Sequence, residues 1–261
     1  MDKLANVTPT QTQLTIAACF RGPPESGNGG YVSGAVAEML IEREQLSLDT
    51  AIEVTLRAPI PLDKSMDTSL SETGVFRVHD AGTLIAEATA TELVLEVPDA
   101  PTFSQALAAR PQSASFHKNI NPLIPEGRGF HPICFCCGAD LAPDEGLHVY
   151  AAAGEDYAGV AAAWRPADTF ADAAGYLPAA VIWAALDCPG QFAYLASGIR
   201  TGMLGRMTAR LLKPVLAQQN FVIIGWCIEV ERSKHFAGTA IFDEAGELCG
   251  FSKQVWIGRM D

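Results

Sequence analysis

Hydrophobic and polar positions follow one order twice along the chain. An alternating apolar stretch over residues 14–20 precedes a loop and then an alanine-rich segment that begins at Gly30, GYVSGAVAEMLIE. About 140 residues later, residues 157–164 alternate in the same way, and Gly175 begins GYLPAAVIWAALD. The alternation predicts a strand, and the apolar segment predicts a long buried helix, in each half.

The strands that follow each helix are repeated as well. Residues 52–60 and 207–215 alternate and contain a basic residue shortly before a proline, which stops a strand. Residues 74–94 and 238–258 each contain two apolar stretches joined by an acidic residue, an alanine and a glycine. Glycine supplies the positive φ that a tight hairpin requires, so each of these segments predicts two antiparallel strands.

The two halves together predict an α+β fold. Antiparallel strands must bury one face against the helix of their half, so we expect two antiparallel sheets, each wrapped around one long central helix. The predicted units are residues 1–97 and 151–261, joined over residues 98–150 by a proline-rich connector with a cysteine motif. Glu42 and Asp187 both lie twelve residues after the glycine that begins their helix, which predicts equivalent positions for them.

Composition narrows the classes of partner. The chain has 261 residues, 49% of them hydrophobic, so it can bury a large core. Its 18 Lys and Arg against 30 Asp and Glu give a net charge of −12, which argues against nucleic acid. The N-terminus lacks the apolar stretch of a signal peptide and the apolar runs are too short to span a membrane, so we expect a cytoplasmic protein with no membrane partner. The unpaired backbone groups at the edge of a sheet can pair with a second copy of the chain, so a homo-oligomer is an open alternative.

A cysteine motif lies in the connector. The segment HPICFCCGAD (131–140) spaces Cys134 and Cys137 as C-x-x-C, with Cys136 between them. A structural zinc site requires four ligands, usually from two such pairs, and the other cysteines form no second pair: Cys19, Cys188, Cys227 and Cys249. We therefore expect thiols packed in a buried turn, with no metal and no cofactor; a zinc site and a redox dithiol are the alternatives.

Four segments resemble one family. They are GNGGYVSGAVAEML (27–40), LRAP (56–59), VIWAALDCPGQFAYL (181–195) and FSKQVWIGR (251–259). Together they resemble the double hotdog fold of acyl-CoA thioesterases, in which two strand-wrapped helices of one chain imitate a dimer of single hotdog proteins. The resemblance implies a tandem hotdog, with acyl-CoA as the small-molecule partner.

The resemblance also implies catalytic residues. In those enzymes an aspartate on the second helix, a hydroxyl residue on the following strand and a late glutamine hold and activate the hydrolytic water. These roles fall on Asp187, Thr208 and Gln254, with Thr201 as the alternative hydroxyl. Cys188-Pro189-Gly190 follows Asp187 directly, which predicts that the helix ends or bends just past the aspartate.

Substrate-binding groups are expected where the helices begin. The first backbone N–H groups of a helix have no intrahelical acceptor, and a glycine lets a carbonyl oxygen approach them closely. Gly29 and Gly30 in the first half, and Gly175 and Tyr176 in the second, are therefore the candidate substrate-binding residues.

Two functions compete for this set of residues. The first is hydrolysis of an acyl-CoA thioester, with the acyl chain between the two helices. The second is a non-catalytic acyl-CoA or fatty-acyl binding module of the same fold. A hydratase acting on enoyl-CoA would need an Asp and a His on one short segment after a helix, and neither half has that pair. Four basic residues are candidates for the phosphates of coenzyme A, or form a solvated edge: Arg57, Arg206, Arg210 and Lys213.

Overall fold

Ten strands and three α-helices are present among the residues that the computed structural model describes, which are 12–117, 131–155 and 157–258. The helices are α1 (Gly29–Glu44), α2 (Phe103–Ala109) and α3 (Ala179–Ala196). The strands are β1 (Gln13–Thr15), β2 (Ala51–Leu56), β3 (Ser65–Leu70), β4 (Phe76–Asp80), β5 (Thr83–Thr91), β6 (Val160–Trp164), β7 (Met203–Leu211), β8 (Phe221–Glu231), β9 (Lys234–Phe242) and β10 (Leu248–Ile257).

All ten strands form one antiparallel sheet, in the order β1-β3-β4-β5-β2-β7-β10-β9-β8-β6. The order is palindromic if each strand of the first half is matched with its counterpart in the second, β1 with β6, β2 with β7, and so on to β5 with β10. The two sheets that the sequence predicts are therefore not separate. They are joined where β2 pairs with β7, with Val54 opposite Met207, because both strands have a free edge there.

The two long helices lie against the sheet and against each other. Each contacts the strands of its own half, α1 on β2, β4 and β5, and α3 on β6, β8 and β9. Glycines make the close approach between the helices possible. A Cβ atom at Gly30 would lie 2.5 Å from the carbonyl oxygen of Trp183, and one at Gly34 would lie 2.6 Å from Cα of Ala180.

Helix α3 differs from the prediction at both ends. It begins at Ala179, whereas Gly175 lies in a preceding turn with φ +88°, so the prediction that Gly175 begins the helix is wrong. It also continues through Pro189 to Ala196, so Asp187 lies in its middle and not in its last turn. Packing overrides the helix-breaking tendency of proline here, because residues 180–194 are all buried.

The observed starts of α1 and α3 change which residues of the two halves correspond to each other. Helices α1 and α3 begin at Gly29 and Ala179, which are 150 residues apart. In this register Asp187 corresponds to Ala37, beside Glu38, and not to Glu42. The shared Gly-Tyr dipeptide misled the sequence comparison, because only the first-half copy lies within a helix.

The connector takes part in the core. Helix α2 packs on β6 and β8, on the sheet face opposite α3, with Ala106 completely buried. Phe135, Cys136 and Cys137 are buried in the main core, as the expected packed turn requires. Two prolines of the connector, Pro122 and Pro125, lie outside the described residues. Within the described part of the chain, no helix has both the length and the hydropathy needed to cross a membrane.

Candidate functional site

A cavity of about 720 Å³ opens beside the start of α1 and the middle of α3. We call it the Asp187 pocket. Its wall is formed by the first turn of α1, the end of β2, the start of β7 and the cysteine segment, and it includes Asn28, Gly29, His131, Asp187, Gln191 and Trp256. The sequence repeat alone predicts no cavity, because the wall comes from six separate parts of the chain: the four just given, the middle of α3 and the end of β10.

Asp187 is the buried acid of this pocket. The residue is 3% exposed. Its Oδ2 atom accepts hydrogen bonds from Nδ2 of Asn28 at 2.8 Å and from the backbone N–H of Gly30 at 3.1 Å. Its Oδ1 atom is buried and has no hydrogen-bond partner among the described residues. A buried carboxylate oxygen without a donor is costly, so this atom is the one that a water or a substrate group would satisfy.

The surroundings of Asp187 favour the protonated form. Burial raises the pKa of this carboxyl to about 7, while the donors on Gly30 and Asn28 lower it and so oppose part of that rise. Desolvation therefore outweighs hydrogen bonding at this position.

Asn28 is a functional candidate that the sequence interpretation missed. It is the N-cap of α1, where its Oδ1 atom accepts from the backbone N–H of Tyr31 at 2.8 Å. The remaining amide nitrogen is thereby aimed at Asp187. Asparagine is a preferred N-cap, so its place directly before the Gly29-Gly30 pair was a usable signal.

Gly29 and Gly30 have different roles. Gly29 is the first residue of α1 and lines the Asp187 pocket, where its N–H has no acceptor within the helix. Gly30 is buried, and its N–H donates to Asp187 rather than facing a substrate. The predicted glycine-led helix start is thus at the site, but one of its amides holds the acid in position.

Gln191 is a second polar residue that was missed. It lies one turn after Asp187 on the same side of α3 and lines the same pocket. Its Nε2 atom donates to Oγ1 of Thr201 at 3.1 Å and to the carbonyl of Gly202 at 2.8 Å. Thr201, the alternative hydroxyl residue, is therefore linked to this wall of the pocket through Gln191.

Thr208 is not brought to Asp187. It lies in β7 opposite Lys253 on one side and Glu53 on the other. Directly paired residues of antiparallel strands project from the same face of the sheet. Met207 and Ala209, the neighbours of Thr208, are in the main core, so Thr208 projects from the face opposite the helices.

We expect Thr208→Val to leave kcat/KM for any thioester that the chain hydrolyses within about twofold of the original chain. The hydroxyl lies across the sheet from the pocket, so its loss removes no group near the reacting atoms. Steady-state thiol release measures this, with Thr201→Val as the matched hydroxyl removal on the pocket side. A loss of tenfold or more in Thr208→Val alone would instead support the role that the resemblance implies.

Gln254 is buried behind α3. Its Nε2 atom donates to the carbonyl of Leu186 at 2.6 Å, and its Oε1 atom accepts from Nε1 of Trp256 at 2.8 Å. A Cβ atom at Gly190 would lie 2.0 Å from Oε1. The Nε2 bond thus joins β10 to α3, the Oε1 bond stays within β10, and neither polar atom bonds to the Asp187 carboxylate.

Gly175 and Tyr176 lie away from the pocket. Gly175 donates its N–H to the carbonyl of Asp172, and Tyr176 donates its N–H to Oδ1 of the same residue. Tyr176 is 41% exposed. The pair forms a surface turn before α3, and neither residue lines the Asp187 pocket.

A second cavity occupies the corresponding place in the other half. It measures about 840 Å³ and lies beside the start of α3 and the middle of α1; we call it the Glu38 pocket. Oε1 of Glu38 accepts from the backbone N–H of Ala180 at 3.2 Å, much as Asp187 accepts from Gly30. The two pockets therefore share one plan, an acid from one helix bonded to the first turn of the other.

The Glu38 carboxyl is expected to make stability depend on pH. Burial raises its pKa from 4.5 to about 7, the amides of Ala180 and Ala179 oppose this, and Glu42 adds to it. Asp49 and Lys213 are the other charged residues in this wall. The folded state holds this proton more tightly than the unfolded chain, so stability is lost as pH rises from about 4.5 to about 7.

We expect Glu38→Gln to raise the free energy of unfolding relative to the original chain, because glutamine carries no charge to bury at high pH. This gain should be about 2 kcal/mol larger at pH 8 than at pH 4.5. Urea unfolding at the two pH values measures the difference. Glu44→Gln removes the same charge from an exposed position on the same helix and is the control. An equal response of the two variants to pH would contradict the assignment to Glu38.

The four basic residues proposed for phosphate binding are already paired with carboxylates. Arg206 lies 3.2 Å from Glu53 and Arg210 lies 3.1 Å from Asp49. The other two pairs are Arg57 with Glu87 and Lys213 with Glu247. Arg57 lines the Asp187 pocket, so it is the member of the four nearest to the candidate site.

Comparisons with known proteins agree with this architecture. No protein-family model and no curated protein matches the sequence. Among solved structures, a candidate thioesterase from Novosphingobium aromaticivorans is similar over 99% of both chains, with a TM-score of 0.66 and 12% identity. A hotdog fold protein of unknown function from Alicyclobacillus acidocaldarius matches over 95% of this chain and 93% of its own, with a TM-score of 0.61 and 12% identity.

A TesB protein from Mycobacterium avium subsp. paratuberculosis is also similar, over 98% of this chain and 96% of its own, with a TM-score of 0.59 and 13% identity. Identities this low establish the fold alone. The chain therefore has the hotdog fold of these thioesterase-like proteins over nearly its whole length, and the predicted resemblance is confirmed at that level.

Proposed function

We propose that this chain is an acyl-CoA thioesterase that hydrolyses its substrate in the Asp187 pocket. The observation that carries the proposal is the unpartnered Oδ1 atom of Asp187, buried in the wall of a cavity of about 720 Å³. The other oxygen, Oδ2, accepts two hydrogen bonds. One oxygen of the carboxylate is therefore held in place, and the other is available to accept a hydrogen bond from water. A general base must lie within hydrogen-bond reach of the water that it activates, and the available oxygen meets this need.

The proposed reaction begins with a water that donates a hydrogen bond to Oδ1 of Asp187. As the water oxygen bonds to the thioester carbonyl carbon, its proton passes to Oδ1 and the carbonyl oxygen becomes an oxyanion. The N–H of Gly29, at the positive end of α1, is the nearest candidate to stabilise that charge. The intermediate then collapses, the C–S bond breaks, and Asp187 returns the proton to the leaving thiolate. The products are a carboxylic acid and a thiol.

Asn28 is the proposed positioning residue for this step. Its Nδ2 atom holds Oδ2 of Asp187, while its Oδ1 atom is tied to the first turn of α1. This pair of hydrogen bonds fixes the orientation of the Asp187 carboxylate, and with it the direction in which Oδ1 of Asp187 faces. Thr208 and Gln254 have no part in the proposed step. Thr208 pairs with neighbouring strands on the sheet face opposite the helices, and Gln254 is hydrogen-bonded to the backbone of α3.

The proposed architecture is a tandem of two hotdog units in one chain. The palindromic strand order and the exchange of an acid between the helices support two related halves, residues 1–97 and 151–261. The segment 98–150 is the proposed connector, and its second part closes the Asp187 pocket through His131 and Cys134.

A non-catalytic acyl-CoA binding module is the second candidate. The observation in its favour is that Thr208 and Gln254, the two groups expected to help activate water, do not contact Asp187. Such a module would keep the cavity and lack turnover.

Thiol release from a panel of acyl-CoA esters separates the two candidates. The panel runs from acetyl to palmitoyl and includes aromatic acyl groups, and binding of each ester is measured by calorimetry on the same protein. Multiple turnovers with any ester support the thioesterase. Binding without thiol release supports the module, and neither binding nor release overturns both.

A further inference from the structure

The structure brings together three buried thiols that are distant in the sequence. Cys134 and Cys137 come from the connector and Cys188 from α3, and each is 4% exposed or less. Their sulfur atoms all lie within 4.8 Å of one another. Cys188 forms no cysteine pair in the sequence, so only the fold adds it to the C-x-x-C motif.

The spacing of these sulfurs fits a tetrahedral metal site. A zinc–sulfur bond is about 2.3 Å, so two thiolates on one zinc ion lie about 3.8 Å apart. The Sγ atoms of Cys134 and Cys188 are 3.8 Å apart. A disulfide would require about 2.05 Å, so the pair has the separation of two metal ligands.

We propose that Cys134, Cys137 and Cys188 bind one Zn²⁺ ion through their three thiolates. The soft sulfur donors and their number select zinc over magnesium or calcium, which prefer oxygen. The site joins the connector to α3 one residue after Asp187. The ion would link two segments that both line the Asp187 pocket, and it takes no part in the proposed reaction.

Two donors beside the thiols are candidates for the fourth ligand. The Cys136 thiol interacts with Cys188, and His131 is close enough to Cys134 to help lower the pKa of its thiol. His131 precedes Cys134 by the same three-residue interval that separates Cys134 from Cys137. Ligands at such short intervals are common in zinc sites.

The environment also favours a thiolate within this group. Hydrogen bonds from Cys137 and Cys188 lower the pKa of Cys134 well below its usual range, despite complete burial. The same contacts raise the pKa values of Cys137 and Cys188, because these thiols are the donors.

The test is metal content of the intact chain, purified under reducing conditions after growth with added zinc. We expect about one zinc per chain by mass spectrometry of the metal. Cys134→Ser, Cys137→Ser and Cys188→Ser should each lower this at least fivefold, and Cys249→Ser, which changes a buried cysteine outside the cluster, should not. Cys136→Ser and His131→Ala identify the fourth ligand by which of them weakens binding.

A titration with Co²⁺ keeps the proposal testable if a variant fails to fold. The reduced, metal-free original chain should develop thiolate-to-cobalt charge-transfer absorption and the visible bands of tetrahedral cobalt, saturating at one equivalent. Absence of these bands together with less than about 0.1 zinc per chain overturns the proposal. Full zinc content in all three ligand variants overturns it as well. Neither result bears on thiol release, so the two proposals fail separately.

Discussion

Asp187→Asn is expected to lower kcat for thioester hydrolysis by about 10²-fold or more while leaving the fold intact, which is the scale of losing a general base. Asparagine keeps the shape of the side chain and retains an oxygen that can accept from Asn28 and Gly30. It cannot take a proton from water. The effect should therefore appear in kcat, with KM changed by less than about threefold, because substrate contacts elsewhere in the pocket remain.

Thiol release under saturating substrate measures this effect, and thermal unfolding of the same preparation provides the control. Asp187→Asn removes a buried group whose ionisation is disfavoured by burial, so the variant should unfold no earlier than the original chain. Unchanged kcat in a folded Asp187→Asn variant would contradict the assignment of Asp187 as the base.

Gly30→Ala should destabilise the chain by about 3 kcal/mol, even though alanine favours helices more than glycine does. The added Cβ atom would lie 2.5 Å from the carbonyl oxygen of Trp183 and 2.6 Å from Cβ of Asp187. The first of these is a backbone atom in the buried helix α3, which cannot turn aside as a flexible side chain does. The two helices must therefore separate, and the bond between Gly30 and Asp187 lengthens.

Urea unfolding gives the size of this effect, and Gly246→Ala is the matched control. At Gly246 an added Cβ meets nothing within 4 Å, so that change costs only the strain of a φ of +79°, about 1 kcal/mol. If Gly30→Ala proves as stable as Gly246→Ala, close contact at Gly30 does not hold the helices together.

The sequence predicted the elements well because their periodicity is strong. Both long helices, the strands on either side of them and the hairpin at Gly246 follow from apolar spacing and turn chemistry alone. The boundary at Gly175 was wrong because a glycine before a helix and a glycine in a helix give the same local signal. Ala180, in the first turn of α3, packs against Gly34 of the other half, a contact that no local pattern predicts.

The site was harder to predict, since its geometry depends on pairing across the whole chain. Asp187 was identified through the resemblance of residues 181–195 to a thioesterase helix. Asn28 meets it from 159 residues away, a distance that no local pattern spans. The sequence did not show which face of the sheet Thr208 lies on, because one position along a strand reverses the face, and the face is set by the pairing of β7 with β2 and β10.

The same limit applies to the thiols. The C-x-x-C spacing of Cys134 and Cys137 was visible, whereas the approach of Cys188 depends on α3 continuing through Pro189. A helix that ended after Asp187, as the Cys-Pro-Gly sequence predicts, would have directed that thiol elsewhere.

Measuring kcat/KM of Asp187→Asn beside Glu38→Gln shows whether hydrolysis takes place in the Asp187 pocket or in the related Glu38 pocket. Each variant removes one carboxylate that is bonded to the first turn of the opposite helix. We expect a loss of about 10²-fold or more in Asp187→Asn and a change of less than about threefold in Glu38→Gln. A large loss in Glu38→Gln with Asp187→Asn still active would contradict hydrolysis in the Asp187 pocket.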